Sequence, residues 1–123
     1  MELVFVYGTL RTGFGNNRLL ENSELLDVGR TVEEYAMYDG GVPFVNEKEK
    51  VSQIYGELYN VDEKTMLNLD FLEGHPIFYT RKKIFVETLQ GQIVRAWLYF
   101  NNTKTDHLIK SGDYAEQRKY AQR

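Results

Sequence analysis

A single well-defined helix pattern, bounded on both sides, stands in a chain whose other patterns are mostly those of strands. Asp62 is a favourable N-cap for a helix over Glu63–Glu73. Gly74 suits the left-handed conformation that ends helices, and Pro76 prevents continuation. Many strand-like segments together with two or three short helices favour a mixed α+β fold.

Strand-like segments account for most of the remaining chain. Two shorter helices are also predicted, one capped by Asn16 or Asn17 and one that starts at Ser111–Asp113 and closes in the polar tail Gln117–Arg123. No repeat or linker divides the chain, so we expect one domain, residues 1–123, built on a curled or closed mixed sheet. The predicted strands are Glu2–Tyr7, Glu24–Arg30, Glu33–Asp39, Val42–Val45, Gln53–Val61, and a hairpin of Tyr79–Thr88 with Gln92–Phe100.

Composition excludes several classes of function. Without cysteine there is no disulfide, thiolate metal site or cysteine nucleophile. The net charge of −3 argues against nucleic-acid binding, and solvated faces explain the basic clusters Arg81–Lys83 and Gln117–Arg123. No apolar run reaches the ~20 residues of a membrane helix, and Met1–Tyr7 does not resemble a signal peptide. We therefore expect a cytoplasmic protein.

The glutamate at the end of the predicted helix is the first candidate for chemistry. Met66, Leu69 and Glu73 share one helix face, and Leu67 with Phe71 is predicted to extend its apolar stripe. Burial and the negative end of the helix dipole both disfavour an ionised carboxylate. A carboxyl with raised proton affinity suits a general acid/base. In the alternative interpretation, Glu73 points outward into water or pairs with Arg81.

The loop after the first strand is the second candidate. Gly8 allows a sharp turn, and successive N–H groups of Tyr7, Gly8, Thr9 and Leu10 could point inward together to bind an anion or oxyanion. The same segment could equally be only a tight turn. Neither His75 nor His107 has a partner at a spacing typical of a metal site.

Taken together, three segments resemble the γ-glutamylcyclotransferase-like family. They are VYGTLRTGFGNNRLL near the start, LDFLEGHPIFYTR in the middle and SGDY near the end. The middle segment is most similar to the γ-glutamylamine cyclotransferases, which share the arrangement Leu-Asp-x-x-Glu-Gly-x-Pro-x-x-Tyr-x-Arg. The order and spacing of the segments match, and together they frame nearly the whole domain.

The resemblance implies a fold and a reaction. The fold would be a small mixed β-barrel with flanking short helices and a pocket beside the first strand. The reaction would convert a small-molecule γ-glutamyl amide to 5-oxoproline and a free amine, without a cofactor or metal. The family's catalytic glutamate falls on Glu73 and its substrate-binding loop on Tyr7, Gly8, Thr9 and Leu10. Arg11, Gly13 and Asn16 match as supports of that loop.

An alternative function is a non-catalytic module that binds a small carboxylated ligand on the same fold. A carboxylate at position 73 favours the interpretation as an enzyme, because a negative charge in the pocket does not help a protein to bind an anion. No membrane or nucleic-acid partner is expected, and the protein is expected to be a monomer or weak dimer.

Overall fold

The computed structural model describes residues 1–116. The predicted tail Gln117–Arg123 lies outside the described residues, and of the last predicted helix only residues 114–116 are described as helical. The elements follow the predicted order, with most boundaries shifted by a few residues. The strands are β1 (Glu2–Val6), β2 (Glu24–Thr31), β3 (Ala36–Asp39), β4 (Pro43–Asn46), β5 (Tyr55–Val61), β6 (Thr80–Thr88) and β7 (Ile93–Phe100), with a 3-10 helix at Gly15–Leu20 and the helix α1 (Glu63–Glu73).

Five strands close into a barrel in the order β1-β5-β2-β6-β7. The β1–β7 contact is parallel and the other barrel pairings are antiparallel. Strands β3 and β4 form a separate two-stranded sheet. The predicted α+β fold, a small mixed β-barrel with flanking short helices, is therefore confirmed.

Strand β1 contributes to two apolar clusters, as expected of a strand that is apolar on both faces. Phe5 packs inside the barrel with residues such as Leu58 and Leu98. Val4 and Val6 point the other way, into a layer that includes Leu69 of α1. The carboxyl end of β1 and the end of α1 therefore converge on the same side of the barrel.

Helix α1 has the predicted caps but a narrower buried face than predicted. Asp62 accepts a hydrogen bond from the Thr65 N–H at 2.8 Å, and Gly74 has a left-handed φ of 64°. Met66 and Leu69 are buried. The prediction that Leu67 and Phe71 extend this stripe is wrong, since they are 62% and 90% exposed. These two residues form a separate row that faces away from the barrel.

Gly56 marks a close approach between β5 and the end of β1. A Cβ at this position would lie 2.3 Å from the Val6 carbonyl oxygen and 3.0 Å from two ring carbons of Phe5. A backbone oxygen cannot move aside without displacing β1 itself. Gly56 is therefore a position at which two backbones approach closely, a common reason for glycine inside a strand.

We expect Gly56→Ala to lower the free energy of unfolding by about 1–3 kcal/mol, because the added methyl group overpacks the β1–β5 contact. Gly15→Ala is the matched control, since a Cβ there meets nothing within 4 Å. Urea unfolding of both variants measures the difference. Equal stabilities for the two variants would contradict the close approach.

No helix within residues 1–116 combines the length and apolar character needed to cross a membrane.

Candidate active site

A cavity of about 190 Å³ lies where β1 ends and α1 ends. Its lining includes both candidates identified in the sequence, Glu73 and the loop Tyr7–Leu10. The structure therefore brings together two segments that are more than sixty residues apart in the chain. The other lining residues are Phe5, Val6, Asn16, Val42, Pro43, Leu72, Phe78, Tyr79 and Tyr99.

Glu73 is held at the end of α1, in a largely apolar setting. Burial raises the pKa of its carboxyl to about 7. Its side chain makes no hydrogen bond or ion pair with any residue of the described range 1–116. The alternative in which Glu73 pairs with Arg81 is wrong, because Arg81 binds a different carboxylate.

That carboxylate is Asp70, one turn before Glu73 on α1. Arg81 donates to its two oxygens from Nε and Nη2, at 2.8 and 3.1 Å, and the Tyr99 hydroxyl donates to Oδ1 at 2.7 Å. Burial alone would raise the pKa of Asp70, but these hydrogen bonds outweigh it and the pKa is lowered. The Arg81 guanidinium lies 4.2 Å from the centre of the Trp97 ring. Asp70 thus fixes the last turn of α1 to β6 and β7.

The loop Tyr7–Leu10 presents unpaired backbone donors. The N–H groups of Gly8, Thr9 and Leu10 have no acceptor within residues 1–116, whereas the Arg11 N–H closes a turn to the Gly8 carbonyl at 3.0 Å. Gly8 does not adopt a left-handed conformation. Glycine is needed there for a different reason, because a Cβ would lie 2.5 Å from Cγ of Pro43.

Two asparagines support this loop instead of capping a helix. The predicted cap by Asn16 or Asn17 is wrong, since Phe14 occupies the N-cap position and makes no side-chain cap. Asn16 donates to the Thr9 hydroxyl at 2.9 Å, and Asn17 donates to the Leu10 carbonyl at 2.8 Å. These two hydrogen bonds connect the loop to the first turn of the 3-10 helix.

A buried acid supports the next part of the loop. Glu57 of β5 is 7% exposed, and it accepts hydrogen bonds from the Thr12 N–H at 2.8 Å and the Thr12 hydroxyl at 3.1 Å. Arg11 forms an ion pair of 2.8 Å with Asp113, which belongs to the SGDY segment. The third segment identified in the sequence therefore supports the loop rather than lining the cavity.

Three tyrosines line the cavity, and each of their hydroxyl groups donates a hydrogen bond to another protein group. The Tyr7 hydroxyl donates to the Tyr99 carbonyl at 2.6 Å, and the Tyr79 hydroxyl donates to the Pro43 carbonyl at 2.8 Å. The Tyr99 hydroxyl donates to Asp70, as described above. Burial, followed by neighbouring charges that include Glu73, raises the pKa of both Tyr7 and Tyr79. All three are neutral at physiological pH.

Sequence reasoning missed the supporting residues Asp70, Glu57 and Asn17. Asp70 could have been noticed because a carboxylate one turn before the end of a helix opposes the helix dipole unless a cation faces it. Glu57 had a weaker signal, an acid flanked by Gly56 and Leu58 in a strand that is mostly apolar. Within residues 1–116, no group of three or more His, Asp or Glu side chains could hold a metal ion.

Comparison with known proteins identifies relatives that match most of the chain. The family described as gamma-glutamyl cyclotransferase, AIG2-like, matches residues 4–116. A Methanocaldococcus jannaschii protein named as a putative gamma-glutamylcyclotransferase is 50% identical over 96% of this chain and 99% of its own length. The gamma-glutamylaminecyclotransferase B of Danio rerio is 38% identical over 87% of this chain and 61% of its own length.

Solved structures share the fold over nearly the whole chain. An uncharacterised protein from Pyrococcus horikoshii superimposes with a TM-score of 0.79 at 28% identity, covering 99% of this chain and 97% of that one. The crystal structure of an AIG2-like protein from Mus musculus gives a TM-score of 0.80 at 27% identity, covering 93% and 88%. The chain therefore belongs to the gamma-glutamyl cyclotransferase, AIG2-like family, and is an enzyme of the cyclotransferase class.

Proposed function

We propose that the protein converts γ-glutamyl amides, and γ-glutamylamines in particular, to 5-oxoproline and a free amine. Glu73 is the general acid/base, and the loop Tyr7–Leu10 binds the substrate and the oxyanion. One observation carries the proposal. A carboxyl whose pKa is raised to about 7 lines the same small cavity as the unpaired N–H groups of that loop.

The first step moves one proton. The substrate's α-ammonium passes a proton to ionised Glu73, and the free amine then attacks its own γ-carbonyl carbon. The attack forms a C–N bond and pushes an electron pair onto the carbonyl oxygen. Ring closure occurs within one molecule, so the enzyme mainly supplies orientation and proton transfer.

The second step returns the proton. The oxyanion lies against the N–H groups of Gly8, Thr9 and Leu10, each donor of this kind being worth roughly 3 to 4 kcal/mol in an acyl-transfer transition state. The tetrahedral intermediate collapses, the bond to the original amide nitrogen breaks, and protonated Glu73 gives its proton to the departing nitrogen. Ionised Glu73 then takes the second excess proton from the ring nitrogen and passes it to the released amine, which leaves as an ammonium ion. No water or cofactor is consumed, and Glu73 returns to its ionised form.

The lining of the cavity supports an amine as the leaving group. It contains one acid, Glu73, and no Lys, Arg or His among the described residues. Its rim includes the apolar side chains of Val42, Leu72 and Phe78. A leaving group with a carboxylate beside the scissile nitrogen would place that charge near Glu73 with no cation to balance it. An alkylamine meets no such repulsion.

We expect Glu73→Gln to lower the rate of 5-oxoproline release by at least about 100-fold, because the amide can neither accept nor deliver a proton. In the wild type, kcat/KM should rise with pH through about 7, since only ionised Glu73 accepts a proton. Mass spectrometry of 5-oxoproline measures both effects. Glu63→Gln, an exposed change on the same helix, is the control. Full activity of Glu73→Gln would exclude this mechanism.

A panel of substrates tests the leaving group. We expect kcat/KM for γ-glutamylethylamide and for γ-glutamyl-ε-lysine to exceed that for γ-glutamylalanine by about tenfold or more, as a repulsion of about 1.4 kcal/mol would give. A preference for γ-glutamylalanine would contradict the amine assignment while leaving the reaction class intact. Binding without turnover of any member would favour the carboxylated-ligand module instead.

Burial of Glu73 also makes stability depend on pH, independently of activity. Its pKa is about 7 in the folded protein and 4.5 for an ordinary glutamate. The folded state therefore holds this proton more tightly, so the stabilisation is complete below about pH 4.5 and is lost as pH rises to about 7.

The variant Glu73→Gln cannot ionise and should escape this loss. We expect its free energy of unfolding, relative to that of the wild type, to increase between pH 5 and pH 8. Urea unfolding at the two pH values provides the measurement. A difference that stays the same at both pH values would show that the carboxyl is not destabilised by burial.

A further inference from the structure

We infer that Tyr79 and Tyr99 form the binding site for the substrate's α-ammonium group, with their phenolic oxygens as hydrogen-bond acceptors beside Glu73. The inference rests on the proposed function, because it concerns the substrate group whose proton Glu73 removes. It assigns a binding role to two side chains that lie outside the Tyr7–Leu10 loop.

The directions of three hydrogen bonds carry the argument. A backbone carbonyl has no proton to give, so the Tyr79 hydroxyl is necessarily the donor in its bond to Pro43. Asp70 is an ionised acceptor, so the Tyr99 hydroxyl is the donor in that bond as well. Each hydroxyl already donates its single proton to a protein acceptor. Its oxygen can therefore only accept a hydrogen bond from a ligand.

Tyr7 is different, although it lines the same cavity. Its hydroxyl donates to the Tyr99 carbonyl, and its phenol group is more deeply buried than those of Tyr79 and Tyr99. Enclosed in this way, Tyr7 acts as a wall and a support. The acceptors left for a ligand are the oxygens of Tyr79 and Tyr99, together with the Glu73 carboxylate.

The charges around the cavity favour a cation at this position. Glu73 is the one charged side chain among its described lining residues. The nearest cation behind Tyr99 is Arg81, and Asp70 neutralises it through two hydrogen bonds. Tyr79 and Tyr99 line the same small cavity as the Glu73 carboxylate. An ammonium group has three N–H donors and matches three acceptors arranged in this way.

The cavity lining thus contains both donors and acceptors. The N–H groups of Gly8, Thr9 and Leu10 provide the donors. Glu73, Tyr79 and Tyr99 provide the acceptors. A γ-glutamyl group has the matching pattern, since its carbonyl oxygens accept and its ammonium group donates.

The test compares two ligands that differ only in the α-amine, γ-glutamylethylamide and N-ethylglutaramate. Binding is measured by calorimetry in Glu73→Gln, which removes the charge of the carboxylate and prevents turnover. We expect γ-glutamylethylamide to bind more tightly in this background. Adding Tyr79→Phe or Tyr99→Phe should weaken its binding by about tenfold, as expected for loss of a hydrogen bond to a charged group. Binding of N-ethylglutaramate should stay within about twofold.

Tyr38→Phe in the same background is the matched control. Its hydroxyl also donates to a protein acceptor, Glu49 at 2.7 Å, but it does not line the cavity. Both affinities should be unchanged. N-ethylglutaramate also reports on folding, because a collapsed cavity would lose both ligands. If one tyrosine variant does not fold, the other variant and the ligand preference of Glu73→Gln still decide the question.

Two results would overturn the inference. One is equal affinity for the two ligands in Glu73→Gln, and the other is an equal loss of both ligands in the tyrosine variants. These results are separate from a failure of the proposed reaction. Absence of 5-oxoproline release with the ammonium preference intact would refute the reaction and retain the binding site. Release without that preference would refute the binding site alone.

Discussion

The Asp70 carboxylate holds the end of the helix that lines the cavity against the barrel. It accepts from Arg81 on β6 and from Tyr99 on β7, so two barrel strands and the helix meet at one group. Glu73 follows one turn later, and Gly74 ends the helix there. Without Asp70, the last helical turn would have no polar link to the barrel, and a buried carboxyl at a helix end would be free to turn into water. The raised pKa of Glu73 depends on that turn staying in place.

The active-site loop depends on a second buried acid, Glu57. This side chain accepts from the N–H and hydroxyl of Thr12, while Asn16 and Asn17 hold the preceding residues from the other side. Because side chains fix the loop, its own N–H groups at Gly8, Thr9 and Leu10 remain unpaired within the described residues. Unpaired donors held in place are what stabilisation of an oxyanion requires, since they need not reorganise as charge develops.

The two supports have a common consequence for the proposed reaction. Asp70 is paired with Arg81 and Glu57 is hydrogen-bonded to Thr12, and neither acid lines the cavity, so Glu73 is the one charged residue in the described cavity lining. A lone acid in an apolar cavity has a raised proton affinity and attracts a cation. In the proposed function, the same arrangement provides both the base that works near neutral pH and the preference for substrates that carry an ammonium group.

The sequence by itself determined the order of the elements, the caps of α1 and the positions of the two segments that meet in the cavity. These follow from local physics, because strand alternation, N-cap chemistry and the left-handed preference of Gly74 act within a few residues. It did not determine which way Leu67 and Phe71 face, what Asn16 and Asn17 bind, or that Asp70 rather than Glu73 pairs with Arg81. Those outcomes depend on which strand, loop or helix lies opposite each side chain, and closure of the barrel decides that. The same distinction between local sequence and tertiary structure applies to Glu73. Its place at the helix end is local, but its pKa of about 7 arises from burial that only the tertiary structure provides.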